Sequence, residues 1–245
     1  MKTVSTVIAL LLILLVGCGK SSTVGRKVGV DPYWFPLDFG NRDNNVTAFS
    51  TELLTEVGKI EKIPFTKISV NSNDLMDGLQ RGNYEAILSS MPPYIFNQAM
   101  FDFSEIYLHL GPVLVVPTPS KISSIADLDG KEIAVISGSN NDVVLEKSPG
   151  VLIRDYDSIP KAFNDMLAGH IDGALIDVLS ATAYCRDLYQ GQLKIVTAPL
   201  NEEGLRLITK HDVAPDLIKG FNAGLAKTKK NGSYTRLLDK WGLQE

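Results

Sequence analysis

Residues 79–107, LQRGNYEAILSSMPPYIFNQAMFDFSEIY, carry the reading of the whole chain. Leu75, Met76 and Leu79 stand at helical spacing, Gly82 supplies a C-terminal stop, and residues 84–88 begin a short apolar strand. That strand delivers Ser89 and Ser90 to its C-terminal end. The same unit returns in the second half. Ala162, Phe163 and Met166 form the helical face, Gly169 the stop and residues 171–175 the strand, and Asp177 falls where Ser90 falls in the first copy. A helix–glycine–strand unit used twice, ending in polar residues both times, predicts two similar α/β lobes with a cleft between them.

Composition sets the outer bounds. The 245 residues suffice for two domains of about a hundred each. The net charge is −4 and no basic cluster exceeds Lys229-Lys230, which argues against nucleic acid as a partner. Residues 4–16 are apolar apart from Ser5 and Thr6 and follow Lys2, the pattern of a signal-peptide core too short to span a bilayer comfortably. Leu15-Val16-Gly17-Cys18 then resembles a bacterial lipobox. The expectation is a signal peptide over 1–17, a lipid-modified Cys18 with a tether over 18–25, and an exported chain anchored in the periplasm or on the outer face of the cell membrane. The alternative is an ordinary signal peptide that contains a cysteine. Cys185 is the other cysteine, so no disulfide is expected and Cys185 reads as a small half-buried filler.

Past the tether, residues 27–30 read as a buried strand and 31–36 as a loop held by two prolines. Phe49, Leu53, Leu54 and Val57 make a helical face expected to end near Gly58. Strand 65–70, helix 71–82 and strand 84–88 complete a βαβαβ unit, which predicts a parallel sheet. Residues 110–116 read as the first crossing between lobes. The second lobe is expected to hold strands at 132–136, 151–156, 171–176 and 193–198, and helices at 141–147, 158–167 and 179–188. Residues 205–209 cross back, and helices 214–228 and 233–241 close the chain, with Ser233 as N-cap.

In open α/β sheets ligands sit beyond the C-terminal strand ends. Those ends carry Asp31 and Trp34, Ser89 and Ser90, Ser137 to Asn140, and Asp177. A helix starting after Asn140 would aim free N–H groups at an anionic group, and Asp177 favours a cationic one. Both together suit a small zwitterion. His109, His170 and His211 show no metal-like spacing, so no metal and no cofactor are expected.

Several segments resemble the amino-acid-binding family of bacterial extracellular solute-binding proteins, family 3, the receptors of ABC importers. They are DPYWFPLDF (31–39), AFSTEL (48–53), DFSEIY (102–107), LDGK (128–131), the stretch from Leu167 to Asp177, and NGSYTRLLDKW (231–241). The resemblance implies a two-lobe, type II periplasmic-binding-protein-like α/β fold with two crossover strands. Lobe one would take 26–112 plus 205–245, and lobe two 113–204. It also implies a monomer that closes on a small ligand and delivers it to an ABC permease. By the same resemblance Asp31, Ser89 and Asn97 lie in the site, Trp34 stacks on the ligand, Ser90 and Met91 line lobe one, Ile136 to Asn140 (Ser139 among them) line lobe two, and Asp177 takes the ligand's ammonium.

The chain departs from the family at Asn97, where relatives carry an arginine that clamps the ligand's carboxylate, and at Pro92, where a serine or threonine is usual. Asparagine offers no charge for a bidentate ion pair. The expected ligand is therefore an amine-bearing solute, or an amino acid whose carboxylate meets N–H groups at Ser139 and Asn140. Two alternatives stay open: a cyclohexadienyl-dehydratase-like enzyme, with Glu105, Asp31 and Asp177 as candidate acids, and a partner-sensing module with no small ligand. No Ser-His-Asp, Cys-His or phosphate-loop signature is present.

Overall fold

The computed structural model describes residues 25–34, 37, 39 and 42–243; the leader, Cys18 and most of the tether lie outside them. The chain opens with β1 (Arg26–Val30), α1 (Asp43–Glu61), β2 (Phe65–Ser69), α2 (Ser72–Arg81) and β3 (Ala86–Ser89). It continues through a single helical turn α3 (Ile95–Gln98), β4 (Phe101–Phe103), β5 (Leu108–His109) and β6 (Pro112–Pro117). Next come β7 (Glu132–Ile136), β8 (Leu152–Tyr156), α4 (Ile159–Leu167), β9 (Gly173–Asp177), α5 (Val178–Asp187) and β10 (Leu193–Ile195). The chain ends with β11 (Gly204–Lys210), α6 (Pro215–Lys230) and α7 (Ser233–Trp241).

These strands form two sheets, the two-lobe α/β architecture expected. One runs β2-β1-β3-β11-β4, with β5 also paired to β11; the other runs β10-β6-β9-β7-β8. β1 pairs in parallel with β2 and β3, and β7 with β8 and β9. β11 returns from the second lobe and lies antiparallel to β3 and β4. The β5–β6 passage and the approach to β11 are therefore the two crossovers. α1, α6 and α7 pack together, and Phe49, Tyr107, Phe221 and Tyr234 meet in their shared core.

Local chemistry explains most boundaries. The Asn71 side chain accepts the Asn73 N–H (3.1 Å) and starts α2, while Gly82 in the left-handed region ends it. α1 does not stop at Gly58 but runs on to Glu61, and Lys62 takes the left-handed cap. Gly58 instead allows close approach, since a Cβ there would stand 2.5 Å from the Ile63 carbonyl oxygen. Ser233 is the first residue of α7 rather than its cap; Gly232 holds the N-cap position and the Asn231 side chain accepts the Ser233 N–H (2.9 Å). The helix expected over 141–147 is a short 3-10 turn, Asn141–Leu145. Cys185 is half-buried and free, and burial pushes its thiol up to about 11.

Gly204 sits where the crossovers touch, opposite His109 of β5. A Cβ there would meet Ile106 and stand 2.8 Å from the Leu108 carbonyl, which backbone pairing holds in place. Gly204→Ala is expected to destabilise the protein by about 1–3 kcal/mol through overpacking. Urea unfolding with an unchanged slope and a lower midpoint would confirm it; an unaltered midpoint would refute it.

Candidate functional site

β1 and β3 run in parallel, as do β7 and β9, so each sheet brings its strand ends to one edge. In the first sheet Val30 leads into Asp31 and Ser89 into Ser90; in the second Ile136 leads into Ser137 and β9 ends on Asp177 itself. A cavity of about 500 Å³ lies between the lobes, walled by Ser137 to Asn141, Asp177, Leu179 and Ser180 from the second sheet's side. Leu37 and Phe39 of the loop after Trp34, with Leu110 and Glu203 of the crossovers, close it from the other side. Arg42, at the start of α1, donates to the Leu179 carbonyl (2.9 Å) and ties the two sides together beside it.

Asp177 occupies the N-cap position of α5 but does not cap it. Its Oδ1 instead accepts the Asn141 amide N–H (3.0 Å), and the α5 N-terminal Val178 N–H goes to the Gly111 carbonyl (3.1 Å). The ordinary reason for an aspartate before a helix is thus absent. The carboxylate is exposed toward the open cavity, and the protein packed around it still pushes its pKa above the usual carboxylate value, against the opposing Asn141 bond. A carboxylate held in this way is poorly compensated and favours a cation. Ser139 adds a buried hydroxyl with no partner among the described residues on the same wall. The turn after Asn140 is short and 3-10, so the helix dipole expected there is missing, and that part of the wall is polar through its side chains.

The structure brings Ser139, Asn140 and Asp177 into one cavity, with Ile136 half-buried at the strand end that leads to it. Asp31 lies apart, in a cavity of about 430 Å³ with Ser69 and Asn71 at the first sheet's edge. It is 4% exposed, and its Oδ1 accepts the Tyr33 N–H (3.0 Å). The two cavities share no lining residue. Ser89, Ser90 and Met91 are half-buried at that same edge and line neither; the Ser89 hydroxyl accepts the Met91 N–H (3.1 Å).

Two expectations change. Trp34 does not offer its face to the cleft: it is 4% exposed, edge-on to Phe39, with its indole N–H donated to Thr47 (2.8 Å). Its backbone is left-handed (φ 56°). Asn97 is also buried, and its amide donates to the Pro92 carbonyl (2.8 Å), so it holds its own loop. Sequence reasoning missed Asn141 and Glu203. Asn141 could have been suspected as the neighbour of Asn140, whereas only the folded crossover brings Glu203 to the wall. Elsewhere, His211 stands between Asp102 (2.8 Å) and Asp212 (3.3 Å), a surface ion-pair cluster invisible in the histidine spacing.

Residues 27–244 match the bacterial extracellular solute-binding proteins, family 3. The chain belongs to this family. Among similar proteins is the arginine-binding extracellular protein ArtP of Bacillus subtilis, 27% identical over 93% of this chain and 92% of the relative. The second substrate-binding domain of a putative amino acid ABC transporter from Streptococcus pneumoniae superposes with a TM-score of 0.66, at 26% identity, over 88% of this chain and 98% of that one. The L-cystine solute receptor of Neisseria gonorrhoeae, in its unliganded open conformation, shares the fold with a TM-score of 0.70, at 24% identity, over 89% of this chain and 92% of that one. This family-3 protein is an exported solute-binding component of ABC transport, a binding protein and not an enzyme. That sets the dehydratase alternative aside.

Proposed function

We propose that this family-3 protein is a lipid-anchored receptor that captures an amino acid or a related amine-bearing solute and hands it to an ABC permease. The observation that carries the ligand class is Asp177. Its carboxylate faces an interlobe cavity, is oriented by Asn141, caps no helix and is short of countercharge. An ammonium group would supply that charge with direct hydrogen bonds. The names of the relatives, which speak of arginine, cystine and amino acids, point the same way.

Lobe one takes 26–112 plus 205–245 and lobe two 113–204, with the two half-sites on opposite sides of the cleft. The separate cavities at Asp31 and at Asp177 support a mechanism in which ligand draws the lobes together. Ligand shifts the population toward the closed form by as much as it prefers that form. Cys18 carries the anchor in this reading, and the protein acts as a monomer.

A thermal-shift panel of amino acids, their amides, polyamines and simple carboxylic acids tests this. A ligand at a hundred times its dissociation constant stabilises the folded state by about 2.7 kcal/mol. The expected result is a rise in melting temperature with at least one amine-bearing compound and none with simple carboxylic acids. A flat panel would contradict the ligand class.

A further inference from the structure

At the first sheet's edge, outside the lining of both cavities, stands a buried cation. Arg206 lies near the start of β11, in register with Ser89 at the end of β3. β1 and β3 are parallel, so this is the sheet edge that also carries Asp31 and its cavity. Arg206 is 8% exposed. Its guanidinium donates to the carbonyls of Ser104 (3.0 Å), just after β4, and Glu202 (3.4 Å), on the approach to β11. Its Nε–H is buried and has no partner among the described residues.

The charge is poorly neutralised. Its ion-pair partner is the Glu202 carboxylate at 3.7 Å, on a side chain 86% exposed and hence well screened. Burial accordingly lowers the guanidinium's pKa, against the weaker pull of Glu202 and Glu105. Buried charges in proteins are normally paired, and an unmade hydrogen bond from a buried charged donor is costly. The side chain keeps 10% of its surface exposed, and a carboxylate meeting the guanidinium there would supply the missing countercharge. Asn97, on the loop that follows Ser89, cannot serve: it is neutral and already bonded to Pro92.

We propose that Arg206 is the carboxylate-binding residue of the cleft, so that the ligand spans from Asp177 at its ammonium to Arg206 at its carboxylate. This rests on the receptor reading above and narrows it, because it makes the ligand an amino acid rather than a simple amine. A purely structural Arg206, tying the end of β4 to the approach to β11 through two carbonyls, would show no preference between ligands.

The test uses acid–amine pairs: lysine with cadaverine, arginine with agmatine, histidine with histamine, and glutamine with its α-amide. Calorimetry compares the wild type, Arg206→Gln and Asp177→Asn. The expected result is that Arg206→Gln weakens the amino acid roughly tenfold or more while leaving its carboxylate-free partner within about twofold. In the unmutated protein the Arg206 Nε–H resonance moves with the amino acid and not with its partner, which decides the matter even if the variant folds poorly. Equal weakening of both members, or no weakening, overturns the role. Wild type that binds the amines but not the acids, with loss in Asp177→Asn, overturns Arg206 and leaves the receptor reading standing. Wild type that binds neither member of any pair removes that reading and this one with it.

Discussion

Asp177→Asn is expected to abolish capture of amine-bearing ligands at ordinary concentrations. The substitution keeps shape and removes charge. Removing one partner of a hydrogen-bonded charge pair that lobe closure would bury costs about 2–5 kcal/mol, or roughly thirty- to several-thousand-fold in affinity. The fold should tolerate it, because Asp177 caps no helix and Asn141 can still donate to the new amide oxygen. The same residue sets a pH dependence. Its pKa is raised in the fold, so in the window between the ordinary and the raised value the folded protein binds more protons than the unfolded chain. Stability of the unliganded protein therefore falls slightly as pH rises through that window. Ligand affinity moves the other way, falling as pH drops through the raised pKa, because the ammonium requires the ionised form. Calorimetry across this range should show the fall in wild type and a flat, weak profile in Asp177→Asn; an equally steep profile in both would refute the assignment.

The second large effect concerns stability. Tyr107 ends the DFSEIY segment and is fully buried where lobe one's helices meet. Its ring lies against Phe49 of α1 and Phe221 of α6, and its hydroxyl pairs with the buried Ser50 hydroxyl (3.0 Å). Its carbonyl accepts the Tyr234 hydroxyl of α7 (2.7 Å). Tyr107→Ala leaves an aromatic-sized cavity among three helices and is expected to cost about 3–5 kcal/mol. For a chain of this size that is a fall in melting temperature of roughly 10 °C. Tyr107→Phe keeps the ring and should cost only about 1 kcal/mol through the lost bond to Ser50. A calorimetric scan that ranks the two variants equally would show that the hydroxyl, not the packing, dominates.

What the chain disclosed in advance follows from how local each feature is. α2 could be placed closely because its cap Asn71, its apolar face and its stop Gly82 are all contiguous. The repeated strand ends were visible for the same reason, and they located Asp177. α1 overran its expected stop because Gly58 answers a neighbour, Ile63, and not a turn. The burial of Trp34 against Phe39 was not legible, because its left-handed backbone cannot be inferred from a side chain that seldom adopts it. Arg206 drew no attention because nothing in GLRLITK says that β11 will run beside Ser89 at the cleft edge. That knowledge lives in the antiparallel return of the second crossover, a contact between residues far apart in sequence.

The most direct test of a receptor that closes on its solute is the distance between lobes. Spin labels at Lys67 of β2 and Glu146, which follows the 3-10 turn of the second lobe, both exposed, report it in a Cys185→Ser background prepared without Cys18. Pulsed dipolar spectroscopy should show a longer distance in the free protein and a shorter, narrower one with a saturating amino acid from the panel, the shift vanishing in Asp177→Asn. A distance that stays the same while calorimetry shows the amino acid bound would contradict capture by lobe closure.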